Sequence, residues 1–187
     1  MKKATTSGAA LLAAALVLTT GLSAQEKGKT AAAELNKDSQ AALAQLNASV
    51  PLAKILTPQA HAILVFPKVT KAGLGIGGQY GEGTLLKGGK PVGYYKTTGA
   101  SYGLQAGAQQ YAYAMFFMNE GALAQLDKAD GFEVGVGPSV VMVDEGMAKT
   151  TTTNTLKDDV YAFVFGQKGL MAGLGLQGNK IAKIQPK

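Results

Sequence analysis

The sequence predicts an α+β fold: a mainly antiparallel, strongly coiled or barrel-like, glycine-rich β-sheet with N-terminal helices and one short internal helix. Three observations lead there. Apolar residues recur at helical spacing only before Pro51, the period becomes two from Ala62 onward, and in four stretches one alternating face is nearly bare glycine.

Ahead of the fold stands an export address. Lys2 and Lys3 form a positive start, Gly8 to Leu22 an apolar stretch, and Leu22-Ser23-Ala24 a small-residue cleavage site before Gln25. The apolar core, Ala9 to Leu18, is shorter than the roughly 20 residues a permanent span needs. Residues 1–24 therefore read as a cleavable signal peptide, and 25–187 as one domain with a helical N-terminal segment (25–56) and a β-rich core (57–187). The expected location is the periplasm or the exterior. The chain has no cysteine, so Gln25 stands where a lipoprotein needs its acylated residue; a lipoprotein, disulfides and cysteine-held metal are all excluded.

Glu26 to Ser49 is predicted to be a weakly amphipathic helix, with Ala31, Leu35, Ala42, Leu43, Leu46 and Val50 near helical spacing and Lys37, Asp38 and Gln45 around them. It either packs on its own domain or lies on a membrane surface. Pro51 interrupts it, Leu52 to Leu56 forms another turn or helix, and Thr57-Pro58 reads as an N-cap opening a further turn.

The strands follow. Ile63 to Phe66 is a short buried strand closed by Pro67. Along Lys71 to Leu86 one face is Gly73, Gly75, Gly77, Gln79, Gly81 and Gly83; bare faces return along Gly99–Gly107, Gly131–Ser139 and Gly169–Gln177. Each glycine costs a strand roughly 0.5–1 kcal/mol, so such repetition implies that backbone approaches something closely there. A helix on the sheet, a sharply coiled sheet or a bound ligand would each suffice. Gln110 to Met118 reads as a strand buried on both faces, Asn119 as the cap of a short helix over Glu120 to Lys128, and Val140 to Val143 as a strand running into a turn at Asp144-Glu145-Gly146. A β-branched run covers Lys149 to Thr155; Tyr161–Phe165 and Leu170–Leu176 form a hairpin across Gly166-Gln167-Lys168; Gly178-Asn179 turns into a last strand at Ile181 to Ile184. These short links imply antiparallel pairing.

No conventional catalytic centre emerges, and the protein is expected not to be an enzyme. Gly73 to Gly78 fits G-x-G-x-x-G, but Gly173 to Gly178 fits it too, which marks the pattern as a by-product of glycine-faced strands. His61 is the only histidine, and Ser101 lies on a strand instead of a nucleophile elbow. One histidine, no cysteine and the adjacent pairs Asp144-Glu145 and Asp158-Asp159 make no metal site, and no cofactor is indicated. All 18 basic residues are lysine; removing Lys2 and Lys3 leaves 16 against 12 acids, a mature net charge of +4. That excess favours anionic partners such as phospholipid, whereas the absence of arginine argues against nucleic acid. The best surface candidate is Lys87-Gly88-Gly89-Lys90, followed by Tyr94, Tyr95 and Lys96, either a headgroup contact or a solvated hairpin tip.

Ala62-Ile63-Leu64-Val65-Phe66-Pro67-Lys68-Val69, Lys71-Ala72-Gly73, Tyr80-Gly81-Glu82-Gly83, Ser101-Tyr102-Gly103-Leu104-Gln105-Ala106-Gly107-Ala108 and Lys168-Gly169-Leu170-Met171-Ala172-Gly173-Leu174 resemble, in order, the SYLF domain. The resemblance runs over Pro51 to Ile184. It implies lipid binding: eukaryotic relatives bind phosphoinositides and associate with actin, and bacterial relatives are exported, often as lipoproteins. It also implies membrane contact through the basic N-terminal segment, here Glu26 to Leu56 with Lys37 and Lys54. Lys68 and Lys71, inside the matching blocks, complete the candidate contacts. The chain departs from the family in lacking the lipoprotein cysteine and in carrying Tyr94 and Tyr95 but no tryptophan between Gly89 and Gly99. Actin is not an expected partner of an exported protein, and no particular protein partner is indicated. The expectation is an exported protein that binds lipid or a membrane surface; the alternative is a structural or envelope-stress periplasmic protein acting through protein partners.

Overall fold

A computed structural model describes residues 11–128, 131–144, 147–148, 157–166, 169–170 and 178–186. Helix α1 (Leu11–Ser49) leads through Val50 into α2 (Pro51–Leu56), where Pro51 occupies the first turn and so removes no helical hydrogen bond. A further turn does follow over 57–59, with Gln59 N donating to Leu56 O at 2.9 Å, but Thr57 is the C-cap of α2 and no N-cap: its backbone is helical and its hydroxyl lies 2.9 Å from both Ala53 O and Asn47 Oδ1. Pro58 comes just after a helix end, where a residue unable to continue the helix belongs.

Two strands then dominate. β1 (Ala62–Lys87) and β2 (Lys90–Phe117) form one antiparallel hairpin, paired from Ala62↔Phe117 to Lys87↔Lys90. The strand expected to stop at Pro67 continues through it. Phe66 pairs with Tyr113 and Val69 with Tyr111, so Pro67 and Lys68 together face Ala112 alone. This two-against-one bulge suits a residue with no N–H to contribute to a ladder. A second register shift lies between Gly73 and Gly75. The Gly99 and Gln110 segments, expected as two strands, are likewise the single strand β2.

The hairpin bends back upon itself, and the bare face of β1 lies inside the bend. A methyl on Gly81 would sit 2.8 Å from Lys68 O, one on Gly83 would overlap Val65 O and stand 2.7 Å from the Phe66 ring, and one on Gly77 would overlap Ala72 O. All of these obstacles belong to β1 itself. Of the three possible causes of a glycine face, the coiled sheet is the one realised along Gly77–Gly83.

The third glycine stretch has a different basis. Only Phe132–Glu133 is strand (β3); Gly131, Gly135 and Gly137 have φ of 78°, 99° and 106°, a left-handed backbone that side chains disfavour. They are turn residues. Of the fourth, Gly169 and Leu170 form β6, and the remainder lies outside the described residues, as does Lys149 to Thr155.

β2 carries β1 along one edge, and β7 (Lys180–Ile184) and β5 (Val160–Gly166) on the other, at Tyr94–Thr98 and Ala112–Phe117. β3 pairs with β7, β6 with β5, and β4 (Val140–Met142) with β5; the last pairing alone is parallel among the described strands. The internal helix α3 (Glu120–Ala124) passes into a 3-10 turn over Gln125–Asp127, and Asn119 caps it as expected, with Oδ1 accepting from Ala122 N at 2.8 Å.

Alternation divides the buried residues between two cores. Leu64, Phe66, Leu85, Tyr113, Met115 and Phe117 face the concavity with Leu126, Phe132 and Ile181. Ile63, Val65, Leu86, Ala114 and Phe116 face the other way, under Leu43, Leu46, Leu52 and Leu56 of the helices. The predicted two-sided burial of Gln110–Met118 is this division. Phe66 stacks on Tyr113 at 4.6 Å in the first core, and Phe116 meets Phe163 edge-on at 5.1 Å in the second. Ser39 Oγ donates to Val65 O at 3.4 Å and Gln45 Nε2 to Gly166 O at 3.0 Å, so the middle of α1 packs on its own domain.

Candidate functional site

The β1–β2 tip is a two-residue turn whose central residues, Gly88 and Gly89, have φ of 56° and 77°. Positive φ at both positions matches the turn type that suits strand twist, and a Gly-Gly pair adopts it without strain. Lys87, Lys90, Pro91 and Val92 around it are exposed, Val92 by 56 %. The tip is braced by α1: Gln40 Nε2 donates to Gly89 O at 3.4 Å, Asn36 Nδ2 to Tyr94 Oη at 3.0 Å, and Thr84 Oγ1 to Asn36 Oδ1 at 3.3 Å. Exposed Lys37 lies three residues before Gln40, on the same side of the helix. Lys37, Lys87 and Lys90 thus gather at one end of the molecule, with half-buried Tyr94 beneath them.

The other candidates are dispersed. Tyr95 is 1 % exposed, and its hydroxyl donates to Asp127 Oδ1 at 3.2 Å, beside the 3.0 Å ion pair from Lys183 Nζ. Burial, reinforced by the Asp127 charge, pushes its phenol up to about 12. It is a core residue, and strand alternation requires as much, since neighbours Tyr94 and Tyr95 point to opposite faces. Lys96 is half-buried on the outer face opposite Glu82, whose carboxylate accepts from Tyr80 Oη at 2.6 Å. Lys54 lies on α2 beside Ile55, itself 41 % exposed, beyond the end of α1 at Ser49, which is roughly 20 Å of helical rise from Asn36. Lys68 stands at the bulge and half-buried Lys71 just before the bend.

Two polar clusters escaped the sequence reading. Inside the concavity Tyr111 Oη donates to Gln79 Oε1 at 2.7 Å, and Gln79 Nε2 donates to Asn179 Oδ1. Asn179 Nδ2, Thr97 Oγ1 and Tyr113 Oη are buried there without a hydrogen-bond partner among the described residues. Gln79 was visible as the one polar side chain on the glycine face along Lys71 to Leu86, but not its partners. At the far end of β5, Asp159 accepts from Asn119 Nδ2 at 2.8 Å, and from Ser139 N and Oγ at 3.2 and 3.3 Å. These bonds, Asn119's foremost, hold its carboxyl below the usual range. They border a groove of ≈ 360 Å³ with Gly121, Gln125 and Pro138. The side chain of His61 makes no hydrogen bond among the described residues, so this serine and carboxylate have no imidazole bonded to them.

Among the described residues no group of three or more histidine, aspartate or glutamate side chains could hold a metal ion, and no helix is long and apolar enough to cross a membrane. A family model described as Ysc84, Las17-binding protein actin regulator, matches residues 98–186, from the middle of β2 through β7. No curated protein matches the chain.

Proposed function

We propose, from the premise that residues 98–186 belong to the Ysc84 (SYLF domain) family, that this is an exported, non-enzymatic protein that binds lipid at an anionic membrane surface. The observation that carries the reading is the β1–β2 tip. Two lysines flank a tight exposed turn, an exposed valine stands beside them, Lys37 adds a third charge, and α1 holds the turn in place. A lysine near an acidic membrane contributes about 1 kcal/mol, and a small apolar side chain beside it can enter the headgroup layer. Because such charges are screened within about 8 Å at physiological ionic strength, the contact is salt-sensitive.

Vesicle co-sedimentation tests the reading. The mature chain should bind phosphatidylglycerol-containing vesicles at low salt, bind neutral phosphatidylcholine vesicles poorly, and lose the difference on Lys87→Glu/Lys90→Glu substitution. Failure to bind either vesicle at low salt would sink lipid binding and favour an envelope protein acting through protein partners. Export is tested by the N-terminal residue of the chain recovered from expressing bacteria: Gln25 in the exported fraction is expected, and an intact Met1 start confined to the cytosol would overturn it.

A further inference from the structure

Besides the tip there is an open groove of ≈ 430 Å³ between α1 and the sheet, lined by Asp38 and Gln45 of the helix, Pro67 and Lys68 of the bulge, Gln110 of β2 and Phe165 of β5, among others. It is open to solvent, and polar and apolar surface share its lining about equally. The walls are held in place. Ser39 bonds to Val65 O, Gln45 to Gly166 O, and the Lys68 carbonyl is packed so closely on Gly81 that a side chain there would collide with it. Bulges re-aim side chains, and Lys68 of this one lines the groove.

The charges are the informative part. Asp38 and Lys68 line the same groove, yet they make no ion pair with each other or with any described residue. A purely anionic ligand would satisfy Lys68 and be repelled by Asp38; a cation would meet the reverse. A ligand carrying both charges, joined by a short apolar link, satisfies both walls.

We propose that the groove recognises the phosphoethanolamine headgroup of a membrane lipid, its phosphate taken by Lys68 and its ammonium by Asp38, with the amides of Gln45 and Gln110 bonding the remaining oxygens. A primary ammonium donates hydrogen bonds to a carboxylate. The trimethylammonium of a choline headgroup cannot, and the two rings on the groove, Phe165 and Tyr111, are buried at 1 % and 3 % exposure and so build no aromatic enclosure around it. The lipid source of the ligand rests on the membrane-surface reading above, whereas the headgroup chemistry rests on the groove.

Flotation of the mature chain with vesicles of phosphatidylcholine alone, with added phosphatidylethanolamine, or with added phosphatidylglycerol separates the two. At high salt, where the lysine tip is screened, phosphatidylethanolamine should raise the bound fraction severalfold, and free O-phosphoethanolamine, but not phosphocholine, should reverse the rise. Asp38→Asn and Lys68→Ala should each abolish that rise and leave low-salt binding to phosphatidylglycerol vesicles in place; Lys87→Glu/Lys90→Glu should do the opposite. Both groove substitutions are at exposed positions, and unchanged circular dichroism verifies the fold. Equal binding with and without phosphatidylethanolamine, while phosphatidylglycerol still recruits the protein, overturns the groove and spares the membrane reading. Nuclear magnetic resonance shifts around Lys68 with free O-phosphoethanolamine, without binding to any vesicle, overturn the lipid as its source.

Discussion

The two limbs of the β1–β2 hairpin are built from the same two strands and the same antiparallel ladder, yet they are packed by different means. Near Ala62–Val69 and Tyr111–Phe117 both faces carry large side chains, and each face has a core of its own. Along Gly77–Gly83 the inner face of β1 is nearly bare, although its partners Tyr95 and Thr97 on β2 are not, and backbone carbonyls of the first limb occupy the space. One limb is stabilised by apolar burial, the other by the removal of every atom that would keep the bend from closing. A sheet this long can cover its own inner surface only if one side of the bend has almost no thickness.

The largest expected effect is in the filled limb. Phe116→Ala removes a fully buried ring in contact with Phe163, and by comparison with other core truncations should cost about 4 kcal/mol in urea denaturation. Next comes the bare limb: Gly83→Ala forces a methyl onto Val65 O and the Phe66 ring and should cost about 3 kcal/mol, at the upper end for overpacking. A cost near zero would break the claim that the limbs meet there. Adjacent inner-face tyrosines sharpen the comparison further. Tyr111→Phe should cost about 1 kcal/mol because it leaves Gln79 Oε1 without its donor, while Tyr113→Phe should be close to neutral because its buried hydroxyl has no partner to lose. Smaller still, and opposite in sign, is Gly78→Ala on the outer face of the bare limb. Its new methyl would meet nothing closer than 3.8 Å, so reduced freedom of the unfolded chain should stabilise by about 0.5 kcal/mol.

At neutral pH the last effect is invisible. Burial holds Tyr95, aided by Asp127, and Tyr111 at about 12, each well above an unperturbed phenol. A raised phenol pKa gives a stabilising contribution that is whole below the unfolded value of about 10 and disappears as pH rises through the folded one. Tyrosinate absorbance should therefore lag behind that of the urea-unfolded chain between these values, and stability should fall across the same window. Tyr95→Phe and Tyr111→Phe should each reduce the fall.

Most of the elements were legible because their signals are local. The cap at Asn119, the two-sided strand at Tyr111–Phe117 and the closing strand at Ile181–Ile184 each follow from side chains a few residues apart. The misreadings also have local causes. Proline at position 67 is a reliable stop signal unless a bulge absorbs it, and Thr57-Pro58 has the same letters at a helix end as at a helix start. Gly131, Gly135 and Gly137 alternate like a strand face while serving as turn residues. The lysine tip was readable, and so, by alternation alone, was the opposite facing of Tyr94 and Tyr95. The groove was not: Asp38 and Lys68 are thirty positions apart, and no pattern links them.

Period, composition and turn chemistry established a coiled antiparallel sheet with helices before it, because hydrogen-bonding geometry makes those properties of neighbouring residues. Which surfaces the glycines meet, on which side α1 lies and which lysine stands opposite a carboxylate depend on how the hairpin bends. That bend is set by close packing between residues far apart in the chain, where the outcome at each position depends on the shape of its distant neighbour.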